Sequence, residues 1–299
     1  MNNIFVIGST NTDMVVKTDQ FPLPGETKLG GRFFMHAGGK GANQAVAAAR
    51  LGGRVTLVTK LGKDIFGKQS LEGFKKENIN IQFVFLEENS PSGTALIIVN
   101  EEGENCIVVA PGANAHLLPA DIDKVGNFRD AAIVLMQLEI PMETLNYAAK
   151  MTRTNHQKLI INPAPAQKLE DELLNGLFLI TPNETEANFL TGIPVVDEKS
   201  ASRAAEVFLN KGVQHVIITL GSQGAYFQDR HIQFKIPAPR VKAVDTTAAG
   251  DVFSGAMAVA LTEDMEWEKA IQFAVQAASV SVTRMGAQSA VPYRNEIHI

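Results

Sequence analysis

Short apolar runs alternate with longer amphipathic stretches along most of the chain. Six of these runs are rich in β-branched residues and largely apolar on both faces, which is typical of parallel strands covered by helices. The predicted strands are Ile4–Ile7, Arg54–Thr59, Ala132–Leu138, Lys158–Ile161, Leu177–Ile180 and His215–Leu220. The amphipathic stretches predict helices over Ala42–Leu51, Ile65–Glu77, Met142–Met151, Glu184–Leu190 and Lys199–Asn210. This alternation indicates right-handed βαβ units and an α/β fold, in which helices flank a doubly wound, mostly parallel sheet.

Two segments depart from the alternation: residues 14–36 and about 81–110. The second contains three apolar or alternating runs, Phe83–Leu86, Thr94–Val99 and Cys106–Ala110. The last two are joined by a turn that contains a glycine, which favours a hairpin. We predict that both segments form a small antiparallel β-sheet extending from the main domain. Such a sheet could be a lid over a site, a dimer surface, or an edge extension without function.

Near the end of the sequence, Gly250–Leu261 and Trp267–Thr283 predict two consecutive helices with no strand between them. We find no internal repeat or linker, so we expect residues 1–299 to form a single domain. The formal net charge of −5 argues against general nucleic-acid binding, which requires a basic face. An anionic substrate would therefore need a local positive site.

The single cysteine, Cys106, excludes an intrachain disulfide and favours a reducing compartment, so we expect a cytoplasmic protein. The sequence contains no window approaching the roughly 18 consecutive apolar residues of a membrane-spanning helix. The six histidines are scattered and show no metal-ligand spacing.

The first motif with candidate chemistry is the glycine-rich segment Ala37–Gln44, which precedes a predicted helix. Its glycines leave bare backbone that a ligand can approach, and free N–H groups at a helix start favour polar or anionic ligands. Lys40 adds a positive charge, and the Asn43 amide can donate to and accept from hydroxyls. The segment is not a Walker A loop, because Gly41 stands where Ser or Thr should follow the lysine. Alone, such a turn is as often structural as functional.

The second motif is Val244–Asp251, which leads into the helix predicted from Gly250. The small residues Ala248, Ala249 and Gly250 let consecutive backbone N–H groups point at one place, where they could stabilise charge on a transferring phosphoryl group. Asp251 could accept a proton from an attacking hydroxyl. In isolation it could equally be an ordinary acidic residue in a first helical turn.

Together, the two motifs resemble the signatures of the ribokinase family of carbohydrate kinases. The similarity runs nearly end to end, and supporting stretches occur in the right order. They are Gly8–Asp13, Phe21–Thr27, Met136–Glu139, Asn162–Ala166, Thr181–Glu186, Ile218–Gly224 and Thr283–Gln288. The resemblance implies a kinase that uses ATP to phosphorylate D-ribose at O5, with Asp251 as the catalytic base. The alternatives are a kinase for deoxyribose, fructose or a nucleoside, and a sugar-binding regulator without catalytic activity.

For the sugar, the resemblance implies contacts from eight positions besides the base: Asn11, Thr12, Asp13, Gly39, Lys40, Gly41, Asn43 and Glu139. The residue chemistry agrees, because a carboxylate such as Asp13 can accept from two vicinal hydroxyls at once. We place Asp13 directly after the first strand, at the sheet edge where open α/β sheets bind ligands. Glu139 follows another predicted buried strand and should point into the same crevice.

For ATP, the resemblance implies Asn183, Glu186, Gly250, Val275 and the loop Thr219, Leu220, Gly221, Ser222, Gln223 and Gly224. It also implies Mg²⁺ near Glu186 and the phosphates, where waters complete the coordination. A monovalent cation, usually K⁺, is expected at Asp245, Thr247, Ser281, Arg284 and Gly286. The family often has serine where this chain has Ala290, which affects one cation ligand. Family members also dimerise through the small sheet, so we expect a homodimer.

Overall fold

We describe the fold from a computed structural model covering residues 3–126, 128 and 130–298. Its strands are β1 (Asn3–Ile7), β2 (Asn11–Lys17), β3 (Arg32–Gly38), β4 (Arg54–Gly62), β5 (Asn80–Glu87), β6 (Gly93–Val99), β7 (Asn105–Ala110), β8 (Ala131–Met136), β9 (Lys158–Ile161), β10 (Leu179–Ile180), β11 (His215–Thr219), β12 (Ala225–Gln228) and β13 (Gln233–Ile236). The helices are α1 (Lys40–Arg50), α2 (Ile65–Lys76), α3 (Pro119–Val125), α4 (Met142–Thr154), α5 (Asp171–Leu174), α6 (Glu184–Thr191), α7 (Glu198–Asn210), α8 (Ala249–Thr262) and α9 (Trp267–Ser281).

Nine strands form the main sheet in the order β13-β12-β11-β10-β9-β8-β1-β4-β5. The pairings from β11 to β5 are parallel, and β12 and β13 continue the sheet in antiparallel orientation. Alternate residues of β1 face opposite sides: Ile4 and Val6 join one hydrophobic core, and Phe5 and Ile7 join the other. Helices therefore cover both faces, and the predicted α/β architecture with a mostly parallel sheet is confirmed.

The six strands predicted as buried and parallel all lie in this sheet, and the seven predicted helices match α1, α2, α4 and α6–α9 to within a few residues. The sequence pattern gave no indication of β12, β13, α3 or α5, which are short. None of the helices in the described ranges is long and apolar enough to cross a membrane.

The small sheet contains four strands in the order β3-β2-β6-β7. Its β2–β3 and β6–β7 pairings are antiparallel, while β2 and β6 run parallel. The prediction for Phe83–Leu86 is wrong, because this segment lies in β5 and pairs with β4 at the edge of the main sheet. Its alternating pattern fits any half-covered edge strand, so the pattern could not show which sheet it joins.

The position predicted for Asp13 also needs correction. Asp13 does not end the first strand; it is the third residue of β2 and pairs with His36 of β3. The chain leaves the main sheet after Ile7 and enters the small sheet at Asn11. Asp13 therefore lies at the junction of the two sheets, where it can still face the crevice at the carboxyl ends of the parallel strands.

Candidate active site

The glycine-rich motif places the start of α1 directly against the end of β1. A Cβ on Gly41 would lie 2.6 Å from the carbonyl carbon of Gly8, so only glycine permits this approach. Gly39 precedes the helix with φ of 88°, a backbone conformation that side chains with a Cβ rarely adopt. The Ala42 N–H donates to the carbonyl oxygen of Ser9 at 2.9 Å. The motif thus fixes the helix N-terminus at the sheet edge.

Glu139 is held at that helix start. Its Oε2 accepts a hydrogen bond from the Ser9 hydroxyl at 2.5 Å and another from the Lys40 backbone N–H at 3.1 Å. These contacts place Glu139 beside Lys40 at the start of α1. Ser9 was not identified from the sequence as a partner of this carboxylate, although it lies in the Gly8–Asp13 stretch.

Asp251 is almost completely buried, with 4% of its surface exposed, in the first turn of α8. Its Oδ2 accepts from Asn43 Nδ2 at 3.0 Å, and its Oδ1 accepts from Gln44 Nε2 at 3.0 Å. Burial raises the pKa of Asp251 above its usual range, against the opposing effects of Lys40 and the two amide donors. A buried carboxylate with two positioned donors is suited to accept a proton.

Lys40 is the positive centre of the site. Burial disfavours its charged form, but the carboxylates of Asp251, Glu139, Glu186 and Asp13 outweigh that effect and raise the pKa of Lys40. Lys40 thus supplies a positive charge at the site, but the four carboxylates around it outnumber it, so the cluster as a whole is not positive.

Asp13 is part of the same charge cluster. Burial, followed by the negative charges of Glu139 and Asp251, raises the pKa of Asp13 to about 6, although Lys40 opposes the shift. The electrostatic coupling shows that residues from β2, α1, the segment after β8, and α8 converge on one place. Four of the positions predicted from separate motifs are therefore neighbours in space.

Asn11 is oriented by a residue that the sequence analysis missed. Asn114 donates from Nδ2 to Asn11 Oδ1 at 2.8 Å and to the Thr10 carbonyl at 3.1 Å, and its Oδ1 accepts from the Thr10 N–H at 2.9 Å. The Asn11 amide nitrogen remains as the end that can donate to a ligand. Thr12, the next predicted position, is buried in β2. A lone asparagine between two elements carries no sequence signal for this role.

A cleft of about 150 Å³ opens beside the N-terminus of α8. Asp251, Gly250, Ala249, Ala248 and Lys40 line one side, and Asn183, Glu186 and Thr219 are among the residues on the other. Asn183 and Glu186 form a reciprocal capping box: each backbone N–H donates to the other's side-chain oxygen, at 2.9 and 2.8 Å. Burial raises the pKa of Glu186, and the N–H of Asn183 opposes that shift.

The remaining positions predicted for the nucleotide lie farther along the same edge. Leu220 is buried, Gly221–Gln223 form a 3₁₀ turn, and Gly224 follows that turn before β12. Val275 is 6% exposed on α9 and packs in the core beside α8.

The sequence predicts that consecutive backbone N–H groups at the N-terminus of α8 point at one place, but not all of them do so. Ala248 precedes the helix in a left-handed conformation with φ of 62°, and no side chain in the described part of the protein caps the helix there. The Ala249 N–H points to the Thr246 carbonyl at 3.3 Å. The N–H groups of Gly250 and Asp251 are the ones left for a ligand, since the first amides of a helix have no internal acceptor.

The segment predicted to hold a monovalent cation is folded against the chain that follows α9. The N–H groups of Val244 and Asp245 donate to the Val282 carbonyl at 2.7 and 3.2 Å. The Asp245 carboxylate accepts from the Gly286 N–H at 2.9 Å and from the Thr247 hydroxyl at 2.6 Å. Burial would raise the pKa of Asp245, but these hydrogen bonds outweigh it and lower the pKa.

The other two positions predicted for the cation, Ser281 and Arg284, lie at the end of α9 and in the segment that follows it. Ser281 is buried at the end of α9, and the Arg284 side chain pairs with Glu296. The segments that contain the five predicted positions are therefore adjacent. In the described ranges, we find no group of three or more His, Cys, Asp or Glu side chains that could hold a metal ion alone.

A second cleft, of about 360 Å³, lies between the small sheet and the Asp245 segment. Asp13 and His36 line its small-sheet side, and Thr246 lines both this cleft and the one beside α8. A ligand bound at Asp13 would therefore lie next to a ligand bound beside α8.

The chain is similar in sequence and fold to known proteins. The model of the pfkB family of carbohydrate kinases matches residues 1–294. The chain is 44% identical to a ribokinase of Haemophilus influenzae, covering 97% of this chain and 95% of that protein. It is 38% identical to a deoxyribokinase of Salmonella typhi, with coverage of 97% and 95%. The solved structure of Arabidopsis thaliana ribokinase complexed with ribose and ATP superimposes with a TM-score of 0.91 at 33% identity, covering 98% of this chain and 96% of that one.

Proposed function

The chain belongs to the pfkB family of carbohydrate kinases, and from this membership we propose that it uses ATP to phosphorylate D-ribose at O5, yielding ribose 5-phosphate and ADP. The observation that carries the proposal is the position of Asp251, a buried carboxylate at a helix N-terminus with one amide donor on each oxygen. Relatives named ribokinase, one of them bound to ribose and ATP, support the choice of substrates.

In the proposed reaction, Asp251 accepts the proton of the O5 hydroxyl as O5 attacks the γ-phosphorus. A bond forms between O5 and phosphorus, the bond to the bridging oxygen breaks, and ADP leaves. The N–H groups of Gly250 and Asp251 would donate to the phosphoryl oxygens on which negative charge develops, and Lys40 would add a positive charge near Asp251. Phosphoryl transfer needs mainly positioning and charge stabilisation, which these groups provide.

The sugar hydroxyls would be held by the polar residues of α1 and β2. Asp13 can accept two hydrogen bonds, and Asn11 and Asn43 each present one free end of an amide. Asn43 Oδ1 is buried and has no hydrogen-bond partner among the described residues, which fits an acceptor that waits for a sugar hydroxyl. Glu139, Gly39 and Gly41 complete the proposed sugar site.

ATP would occupy the cleft beside α8. Gly250 is open to the cleft, with no protein atom within 4 Å of a Cβ built on it, so phosphates can approach its backbone closely. Asn183, Glu186 and the stretch Thr219–Gly224 are proposed for the nucleotide, with Val275 as an apolar wall for the base. Asn183, Glu186 and Thr219 line the cleft together with Asp251, which supports this assignment for these three residues.

Two cations are part of the proposal. Mg²⁺ would be bound by the phosphates, by waters and by Glu186, because it retains several waters and needs no all-protein cage. It would neutralise phosphate charge.

K⁺ would be held by oxygen donors around Asp245, Thr247, Ser281, Arg284 and Gly286, and the ionised Asp245 carboxylate fits such a hard cation. Ala290 is buried and offers no side-chain oxygen, so the donor set here would be smaller than where serine is present.

We also propose that the small sheet is a lid and a homodimer surface. It exposes large apolar side chains on both faces: Phe34 and Ile107 line the second cleft, whereas Val16, Phe33, Met35, Leu96 and Val108 occupy the alternate positions on the opposite face, which is the proposed dimer surface. An apolar set of this size is typical of a protein–protein interface. Covering it with a second copy would close the sheet over the sugar and exclude water from the reaction.

A related sugar is the second candidate, because the deoxyribokinase of Salmonella typhi is 38% identical to the chain. A coupled assay of ADP release against ribose, deoxyribose and fructose distinguishes the two. We expect the highest kcat/KM with ribose; a higher value with deoxyribose would assign that substrate and keep the same chemistry. A non-catalytic regulator is disfavoured by the intact Gly250–Asp251 pair.

The central test is Asp251→Asn. Because the amide cannot accept the proton, we expect kcat to fall by about 10²- to 10⁴-fold while ribose binding, measured by calorimetry, stays within about threefold. Asp121→Asn is the matched control: Asp121 is equally buried but pairs with Lys60 away from the clefts, so kcat should persist. Near-normal turnover of Asp251→Asn would show that another base operates.

A further inference from the structure

Gln44 lies directly behind the proposed base, in the interior of the protein. Its Nε2 donates to Asp251 Oδ1 at 3.0 Å and to Asn162 Oδ1 at 3.1 Å, and its Oε1 accepts from Gln137 Nε2 at 2.5 Å. Gln44 is completely buried, so it cannot touch the sugar or the nucleotide. Its contribution to the reaction must therefore act through the side chains that it holds, Asp251 and Asn162, of which Asn162 also lines the cleft beside α8.

Gln137 engages the end of the Gln44 amide that is turned away from the base. An amide has one acceptor end and one donor end, and the Gln137 donor occupies the acceptor end. The donor end of Gln44 is thereby directed at the Asp251 carboxylate. Gln137 itself follows β8, and it packs against Gly8, where any side chain would overlap its amide oxygen. Gln137 and Gly8 thus lie at the ends of two adjacent strands, β8 and β1, and Gln137 Oε1 has no hydrogen-bond partner among the described residues.

Asn162 anchors the same amide from a third strand. It follows β9, its Oδ1 accepts from Gln44, and its Nδ2 donates to the Thr181 carbonyl at 3.1 Å. The chain of amides thus links the carboxyl ends of β8, β9 and β10 to the first turn of α8. Such a connected network of buried hydrogen bonds holds its members in one arrangement.

We propose that Gln44 is a positioning residue, directed by Gln137, that holds Asp251 in the orientation in which its remaining lone pairs face the substrate hydroxyl. This inference rests on the proposed function, in which Asp251 is the base. Asn43 holds the other carboxylate oxygen, but its own Oδ1 is left for the sugar. Gln44 has both ends engaged within the protein, so its effect on Asp251 can be separated from substrate binding.

The charges around Asp251 determine the direction of the expected pH effect. Lys40 on α1 favours the ionised carboxylate, while Glu139 after β8, Asp13 on β2 and Glu186 on α6 disfavour it. Burial also disfavours ionisation, and the Gln44 donor lowers the pKa of Asp251. Removing this donor raises the pKa, so the base becomes protonated, and inactive, at a higher pH than in the parent.

The test compares the pH dependence of kcat in the parent and in Gln44→Met, which keeps the volume and removes the donor. We expect the acid limb of the profile to move up by about one pH unit, because a hydrogen bond to a charged group corresponds to a shift of about that size. At pH values below the limb, kcat should fall about tenfold further than in the parent. The KM for ribose should stay within about threefold, since Gln44 touches no substrate.

Gln137→Met tests the directing role and also serves if Gln44→Met does not fold. Without its partner the Gln44 amide can turn, so we expect a shift in the same direction but smaller. The double variant should behave like Gln44→Met alone, because Gln137 acts through Gln44 and the two effects are not additive. Additive shifts would overturn the directing role.

Val46→Ala is the matched control for stability. Val46 is buried on the same helix and contributes only to the hydrophobic core, so its truncation should lower the unfolding midpoint and leave the pH profile unchanged. An unshifted acid limb in Gln44→Met, together with an inactive Asp251→Asn, would overturn this inference and leave Asp251 as the base. An active Asp251→Asn would instead overturn the proposed function.

Discussion

Strands β7 and β8 have the same length and are both mostly apolar, yet their surroundings are opposite. β7 reads Asn-Cys-Ile-Val-Val-Ala and is exposed at all six positions, whereas β8 reads Ala-Ala-Ile-Val-Leu-Met and is buried at five of six. β8 lies in the middle of the main sheet between two helical layers, and β7 is the edge of the small sheet. A run of apolar, β-branched residues therefore predicts a strand but does not show what covers it.

The difference matters because apolar side chains stabilise the folded chain in β8, whereas in β7 they are available to another surface. In β8, Leu135 is fully buried and contributes to the free energy of folding of the single chain. In β7, Val108 is 68% exposed and can contribute only when another surface covers it. We therefore expect substitutions in β8 to change stability and substitutions in β7 to change association.

The largest effect should come from Leu135→Ala in β8. The change leaves a cavity among close-packed neighbours, so we expect the free energy of unfolding to fall by about 2–5 kcal/mol, measured by urea denaturation. Val108→Ala in β7 is the counterpart and should change it by well under about 1 kcal/mol at a protein concentration where the chain is monomeric. Equal losses in the two variants would show that the strands are equally covered.

An intermediate effect is expected from Asp13→Asn, at the junction of the two sheets. The pKa of Asp13 is about 6 in the folded protein and 3.8 in the unfolded chain. Between these two pH values the folded protein keeps a proton that the unfolded chain has released, so the stability falls as the pH rises through this range to about 6. Without ligands, Asp13→Asn should be more stable at pH 8, by up to about 3 kcal/mol. The difference should shrink toward zero as pH falls to 4; one that stayed constant from pH 4 to 8 would contradict the raised pKa. Urea denaturation at several pH values measures it.

The smallest effect on the fold of one chain is expected from Val108→Lys. A lysine at this exposed position disturbs no core packing, so the circular dichroism spectrum should be unchanged. It places a charge in the proposed dimer surface, so the mass by light scattering should fall from about twice 32.3 kDa to near 32.3 kDa. A parent protein that already has a mass near 32.3 kDa would show that the homodimer is wrong.

Most of the main sheet could be predicted from the sequence, because strands such as Lys158–Ile161 are apolar on both faces and bounded by turn residues. The strands at its edges could not. The edge strand β5, Asn80–Glu87, is covered on fewer sides, and its apolar and polar residues alternate. The same pattern therefore fits a strand of either sheet. Pairing depends on which edge lies nearby after the chain has folded, and local composition does not encode that.

The site shows a similar division. Lys40, Asn43 and Asp251 lie in two motifs whose glycines and small residues mark a helix start that a ligand can approach, so the sequence indicates them. Gln44 and Asn114 act through other side chains, and an isolated amide in a helix or turn gives no local signal of its partner. Only the spatial arrangement brings Gln44, 207 positions earlier in the chain, within reach of Asp251.

The close contact between Gly38 and Asp13 has a consequence for how this sequence can vary. Gly38 is not required by its backbone conformation; a methyl group there would overlap the Asp13 carboxylate on the neighbouring strand. The two positions therefore form an interdependent pair, in which the residue tolerated at 38 depends on the one at 13. A chain that shortened residue 13 would become free to vary at 38, so a residue larger than glycine at 38 should occur only together with a shorter residue at 13.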